Sequence, residues 1–209
     1  MSASPPTPPM SPDQALDRLR QGNQRHLRGE AIQHHLTNAE RRAALAEAQR
    51  PFCVLVGCSD SRVPPEVLFG CGLGELFIVR NAGNVVDLAA MGSIEYGVVV
   101  LGAPLVVVLG HERCGAVQAA VNVVEQDAAY PGSIGQMIEP IIPAVLRARR
   151  EGEHDLLDRS VRHNVHRIVD RLRHTEQLLL EPQQQGRLKI VGARYDLDDG
   201  SVEFFDAQP

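Results

Sequence analysis

Five residues have the types and spacing that metal-assisted chemistry needs: Cys58, Asp60, Arg62, His111 and Cys114. Two thiolates and one imidazole form a soft donor set suited to tetrahedral zinc. Three protein ligands leave the fourth position to water or substrate, the arrangement of a catalytic rather than a structural zinc. In Cys58-Ser-Asp-Ser-Arg62 the Cys, Asp and Arg fall at alternate positions, so an extended loop points all three the same way. An aspartate beside the metal can ligate it or accept a hydrogen bond from its water, and an arginine two residues on can hold that carboxylate through a bidentate pair. Two thiolates cancel the charge of the ion. Neighbouring groups must then help to bring the pKa of bound water from about 15.7 toward ~7.

Such residues are useful only if the fold brings them to one point. Phe52 to Gly57 is an apolar run leading straight into Cys58, and Leu105 to Leu109 leads through Gly110 into His111. Two similar runs, Leu76 to Val79 and Leu188 to Val191, are rich in Val, Ile and Leu without polar alternation, the pattern of strands buried on both faces of a parallel sheet. Helix-like stretches alternate with them: Val86 to Leu101, Gly115 to Glu125, Ile134 to Arg150 and Asp155 to Leu180. Amphipathic Pro12 to Gly29 and Asn38 to Ala48 precede the first strand. Asp198-Asp199-Gly200 reads as a hairpin turn, setting Ser201 to Phe205 antiparallel at the sheet edge. The fold class is therefore α/β: a central, mostly parallel sheet of four parallel strands plus an antiparallel C-terminal edge strand, flanked by helices. Functional crevices in such sheets lie outside the carboxyl ends of the strands. Cys58 and His111 meet there although 53 positions apart, and Cys114, three beyond His111, shares a side of the turn that opens the next helix.

Composition narrows the function classes. The 209 residues suffice for one well-packed domain, read as residues 12–209 behind a disordered Pro-rich arm, residues 1–11. A formal charge of −5 without a basic stripe argues against nucleic acid as a partner. The apolar stretch Tyr96 to Gly110 is broken by Pro104 and shorter than the ~18 residues of a membrane span, so no membrane is expected and a cytoplasmic location is. Four cysteines in that compartment read as thiols or metal ligands, not a disulfide framework. Lys189, inside an apolar run, is the single lysine, which leaves one candidate for Schiff-base chemistry.

In five motifs the chain resembles the β-class carbonic anhydrases: Gln49-Arg-Pro51, Cys58-Ser-Asp-Ser-Arg62, Gly74-Glu-Leu-Phe-Ile-Val-Arg-Asn-Ala-Gly-Asn84, Ser93-Ile-Glu-Tyr96 and Gly110-His-Glu-Arg-Cys-Gly-Ala116. The resemblance runs in order from about Gln21 to Phe205. It implies zinc on Cys58, His111 and Cys114, with Asp60 and Arg62 as the catalytic pair and Asp60 as an alternative fourth ligand in a closed state. It implies hydrogen bonds to bicarbonate from Gln49 and the Gly115 amide, and an apolar substrate pocket at Phe77, Ala82 and Tyr96. The reaction implied is zinc-dependent, reversible hydration of carbon dioxide to bicarbonate and a proton, through zinc-bound hydroxide. Dimers or tetramers are implied too, with N-terminal helices laid on a neighbouring subunit and Gln49 often reaching the partner's site. In one branch of the family a Trp, an Arg and a Tyr hold bicarbonate away from the metal. Arg80 and Tyr195 match the latter two, while Leu55 stands at the Trp position. Read without the resemblance, Arg80 is either a core-edge ion pair or an anion contact, and Phe77 and Tyr96 are most economically core residues.

Two other functions fit part of the pattern: a hydrolase of carbonyl sulfide or carbon disulfide on the same scaffold, and a non-catalytic zinc-bound scaffold. The complete Gln49, Asp60, Arg62 set favours carbon dioxide hydration over both. His163 and His166, at i and i+3 beside Arg162 and Arg167, read either as a second metal site or as a solvated helix face.

Overall fold

The computed structural model describes residues 10–152 and 154–205. In chain order the elements are α1 (Pro12–Leu27), α2 (Ala39–Ala44), β1 (Cys53–Cys58), α3 (Pro65–Leu68), β2 (Leu76–Asn81), α4 (Leu88–Glu95), β3 (Leu105–His111), α5 (Gly115–Gln126), α6 (Ser133–Ile138), α7 (Ile142–Arg150), α8 (Leu156–His174), α9 (Gln177–Gln184), β4 (Lys189–Tyr195) and β5 (Val202–Phe205). The strands form one sheet in the order β2-β1-β3-β4-β5, with β4 and β5 antiparallel and all other pairs parallel. This is the expected architecture. Every residue of β1 and β3 is buried, which is why neither run shows polar alternation.

The two faces of the sheet make separate cores. Leu55, Val107, Leu109 and Val191 pack under Ala15, Leu16 and Leu19 of α1 together with Phe69. Val54, Val56, Val106 and Val108 pack under α4, α8 and α9 through Ile94, Val165, Leu172 and Leu179. Fully burying one leucine is worth roughly 1.5–3 kcal/mol, so the α1 stripe anchors that helix firmly to its own sheet. The apolar stripe of α1, Ala15, Leu16 and Leu19, is thus covered within the chain. Ser11 closes a capping box with Gln14, and Met10 packs on the same core. Only residues 1–9 of the expected arm thus lie outside the described residues.

Helix boundaries depart from the reading wherever proline or a cap intervenes. Ile134 to Arg150 is α6, a short 3-10 turn at Glu139–Ile141, and α7, with Pro140 and Pro143 at the junctions. Asp155 to Leu180 divides into α8 and α9 at Thr175 and Glu176. In Val86 to Leu101, α4 passes into a wider π-helical turn over Tyr96–Val100, closed by the Leu101 amide donating to the Tyr96 carbonyl at 3.1 Å. The fourth strand continues past Val191 and ends at Tyr195, and the guanidinium of its Arg194 is bound by Asp158, Asp196 and Glu112. Lys189 pairs with Asp13 on the surface. No helix among the described residues is long and apolar enough to cross a membrane.

Candidate metal centre

Strand ends bring the donors together as expected. Cys58 closes β1, His111 closes β3, and Cys114 caps the N-terminus of α5. The ligand atoms of Cys58, His111 and Cys114 all lie within 4.8 Å of one another, and all three residues are buried. The two sulfurs stand 3.9 Å apart. Two sulfurs each about 2.3 Å from a tetrahedral zinc lie about 3.8 Å apart, so the pair is spaced for that ion. His111 Nδ1 is 2.8 Å from the Glu112 carbonyl, which can only accept. Nδ1 therefore carries the proton and Nε2 keeps its lone pair, as a metal-ligating histidine requires. That Nε2 is buried and has no hydrogen-bond partner. Orphaned buried polar atoms are rare in folded proteins, and this one points to an ion. The donor set fits zinc.

The two thiols behave as one unit. The hydrogen bond from Cys114 is the largest influence lowering Cys58, to about 4 and against the effect of burial; His111 and the backbone amide of Gly83 lower it further. Cys114 is pushed up by donating to Cys58 and by burial beside its charge, although amides in the first turn of α5 favour its thiolate. Cys58 and Cys114 would hold a divalent cation as thiolates, so that its binding would release the shared proton. Cys53 and Cys71, buried elsewhere, are both raised by desolvation, Cys71 to about 12, and stay inert thiols.

Asp60 and Arg62 form the expected bidentate pair, Nε to Oδ1 at 3.0 Å and Nη2 to Oδ2 at 2.7 Å, and the Arg62 amide adds a third bond at 2.9 Å. These bonds hold the carboxyl well below the ordinary carboxylate range. Asp60 Oδ2 lies 3.9 Å from His111 Nε2, so the pair borders the metal position. Gly115 opens α5, and a Cβ built on it would meet nothing within 4 Å. Ala82, half-buried, follows directly on β2 beside the metal loop.

The other expected substrate residues lie elsewhere. Gln49 precedes β1, at the end of the sheet opposite to Cys58. The five steps from Cys53 to Cys58 alone span roughly 17 Å at about 3.3 Å per residue. Gln49 and Tyr96 line one depression of about 680 Å³, and the Tyr96 ring stands 6.0 Å from that of Phe77. The expected lining residues are thus two groups at opposite ends of the sheet: Ala82 and Gly115 near the metal ligands, Gln49, Phe77 and Tyr96 far from them.

Arg80 donates to the carbonyls of Cys58 and Asp60, both at 2.7 Å, and so clamps the metal loop. Tyr195 and Leu55 belong to the core under α1, on the sheet face that Arg80 shares by register. Two strands, β1 and β3, separate Arg80 from Tyr195, roughly 14 Å across the sheet at about 4.8 Å per strand.

Two residues to which the sequence reading gave no role complete the centre. Gly83, at φ +76°, turns its amide toward Cys58 Sγ at 3.4 Å, and any Cβ there would press on Ile141 and Ala116 at 2.8 and 2.9 Å. Asn164, buried in α8, donates to the Gly83 carbonyl at 3.1 Å and fixes that turn from 81 positions away. No local motif marks Asn164; its one signal is a polar residue on the apolar face of an amphipathic helix. Asn164→Ala is expected to weaken zinc retention by roughly 10- to 100-fold, as loss of a ligand's supporting partner does. Competition with a chromogenic chelator measures it, and unchanged affinity would remove Asn164 from the centre.

Comparison with known proteins agrees with this geometry. The carbonic anhydrase family pattern matches residues 53–202. Carbonic anhydrase 2 of Mycobacterium tuberculosis is 42% identical over 199 residues, 95% of each chain. The carbonic anhydrase of Mycolicibacterium smegmatis is 40% identical over 196 residues, 94% of each. Among solved structures, a tetrameric β-carbonic anhydrase of Sordaria macrospora superposes with a TM-score of 0.74 at 25% identity, covering 81% of this chain and 88% of that one. Fold, metal-ligand set and relatives together place the chain in the β-carbonic anhydrase family, a family of carbonate dehydratases.

Proposed function

We propose that the chain catalyses the zinc-dependent, reversible hydration of carbon dioxide to bicarbonate and a proton, in a centre completed by a second copy of itself. The observation that carries this reading is the buried Cys58, His111, Cys114 donor set with the Asp60–Arg62 pair on its border. Zinc, when bound, supplies a Lewis acid that makes water nucleophilic near neutral pH. Arg62 holds Asp60 as a carboxylate with its lone pairs fixed, so that Asp60 can accept a hydrogen bond from the attacking water and orient it. The free amide of Gly115 can donate to the oxygen on which negative charge grows, as at other helix N-termini. Carbon dioxide has no charge or net dipole, and an apolar wall suits it.

Phe77 and Tyr96 form such a wall with Gln49 beside it, but within one chain they lie at the wrong end of the sheet. A second copy can bring them to the metal. The surface nearby favours self-association: Leu88 is 91% exposed, with Val99 and Val100 exposed at 54% and 62%, beside the open edge of β2. The copies would form at least a dimer; four-subunit assemblies extend the same scheme.

Stopped-flow hydration of carbon dioxide with a pH indicator tests the activity, with sulfur analogues assayed in parallel. Zinc-loaded protein is expected to be active and chelated protein inactive; a fully loaded yet inactive protein would sink the reading. The shared centre is tested by complementation. Cys58→Ser and Gln49→Ala chains, each impaired alone, are unfolded together and refolded as a mixture. About half the dimers formed are mixed, each with one intact centre, and about a quarter of wild-type activity is expected. A mixture no more active than the average of its parents would contradict the shared centre.

A further inference from the structure

His163 and His166 stand one turn apart on α8, outside the metal centre. They do not make a second metal site. His163 Nε2 lies 3.0 Å from Glu151, the His166 ring stacks on Phe205 at 5.0 Å, and among the described residues no group of three donors includes either. Both line a cavity of about 690 Å³ bounded by α7, α8 and the β4–β5 edge, into which Arg147, Arg167 and Arg173 also project.

The charges of this cavity are unbalanced. Its two acids are engaged, Glu151 by His163 and Asp170 by His174 at 3.0 Å. Arg147 and Arg167, from two different helices, make no ion pair or hydrogen bond with the described residues, whereas Arg62, Arg113, Arg162 and Arg194 all do. The field agrees with the composition. Burial first, then His163, Arg162, Arg147 and Arg173, push His166 below its ordinary value. Concave sites with one sign of charge concentrate the opposite ion.

We propose that this cavity binds a small phosphate ester. Its volume lies within the range of about 300–1,000 Å³ usual for small-molecule sites. Two unpartnered guanidinium forks match the two charges and three equivalent oxygens of a phosphate better than the single charge of bicarbonate or a carboxylate. The site is a local depression in a chain of net charge −5, not a basic stripe, which disfavours a polyanion such as nucleic acid.

The test is titration calorimetry of the zinc-loaded protein with glycerol 3-phosphate, acetate and a short DNA duplex. Glycerol 3-phosphate is expected to bind. Its affinity is expected to fall at least about tenfold in the Arg147→Ala/Arg167→Ala double variant, since each charge-assisted bond lost is worth a factor of that order. Zinc content and carbon dioxide hydration of that variant are expected to match the parent, because neither arginine touches the metal centre. Four results would overturn the proposal: no binding, equal affinity in the double variant, acetate binding as tightly, or tighter arginine-dependent binding of the duplex.

Discussion

Cys58→Ser is expected to empty the metal centre and reduce carbon dioxide hydration by more than about a thousandfold. The serine hydroxyl stays protonated where the thiolate is favoured by Cys114, His111 and the Gly83 amide. It replaces a soft anionic donor with a hard neutral one and leaves two ligands, too few to retain zinc against a chelator. Elemental analysis and stopped-flow rates read the two effects separately. Cys71→Ala is the matched control: its thiol is buried and raised to about 12, outside the donor cluster, and its loss is expected to leave zinc content unchanged. A Cys58→Ser protein with one zinc per chain and an ordinary rate would refute the ligand assignment.

Asp60→Asn is expected to lower the turnover rate by roughly 10²- to 10⁴-fold while zinc content stays at the parent level. The amide cannot accept both Arg62 bonds that the carboxylate takes at 3.0 and 2.7 Å, and it offers a donor where the attacking water needs an acceptor. Arg62→Ala is expected to cost nearly as much, by releasing the carboxylate that it orients. Because the two act as a unit, the double variant is expected to be little worse than either single one. Losses that multiply would show that Asp60 and Arg62 contribute independently.

The cluster of metal-donor residues was legible because apolar strand runs ended on Cys58 and His111, and strand ends in a parallel sheet converge on one crevice. The Asp60–Arg62 pair was legible from local alternation. What escaped the sequence depended on distant backbone geometry. Asn164 reaches Gly83 across 81 positions, and only the packing of α8 against the β2 end reveals it. Arg80 read as a core-edge pair or an anion contact because a guanidinium bound to two carbonyls leaves no complementary acid to find. The helix breaks were partly readable, since Pro140 and Pro143 mark two of them, and Pro64-Pro65 also announces α3, a turn of helix the reading left out. The wide turn at Tyr96 carries no such mark.

The positions of Cys58 and Gln49 at opposite ends of one strand bear on how activity follows concentration. With the proposed shared centre, a solitary chain loaded with zinc holds two half-sites that cannot meet. Specific activity then becomes a report of assembly, and well below the dissociation constant a tenfold dilution would remove about a hundredfold of the rate. On that scheme a newly made chain would be silent until it met another, and the amount of protein present would set a threshold for catalysis.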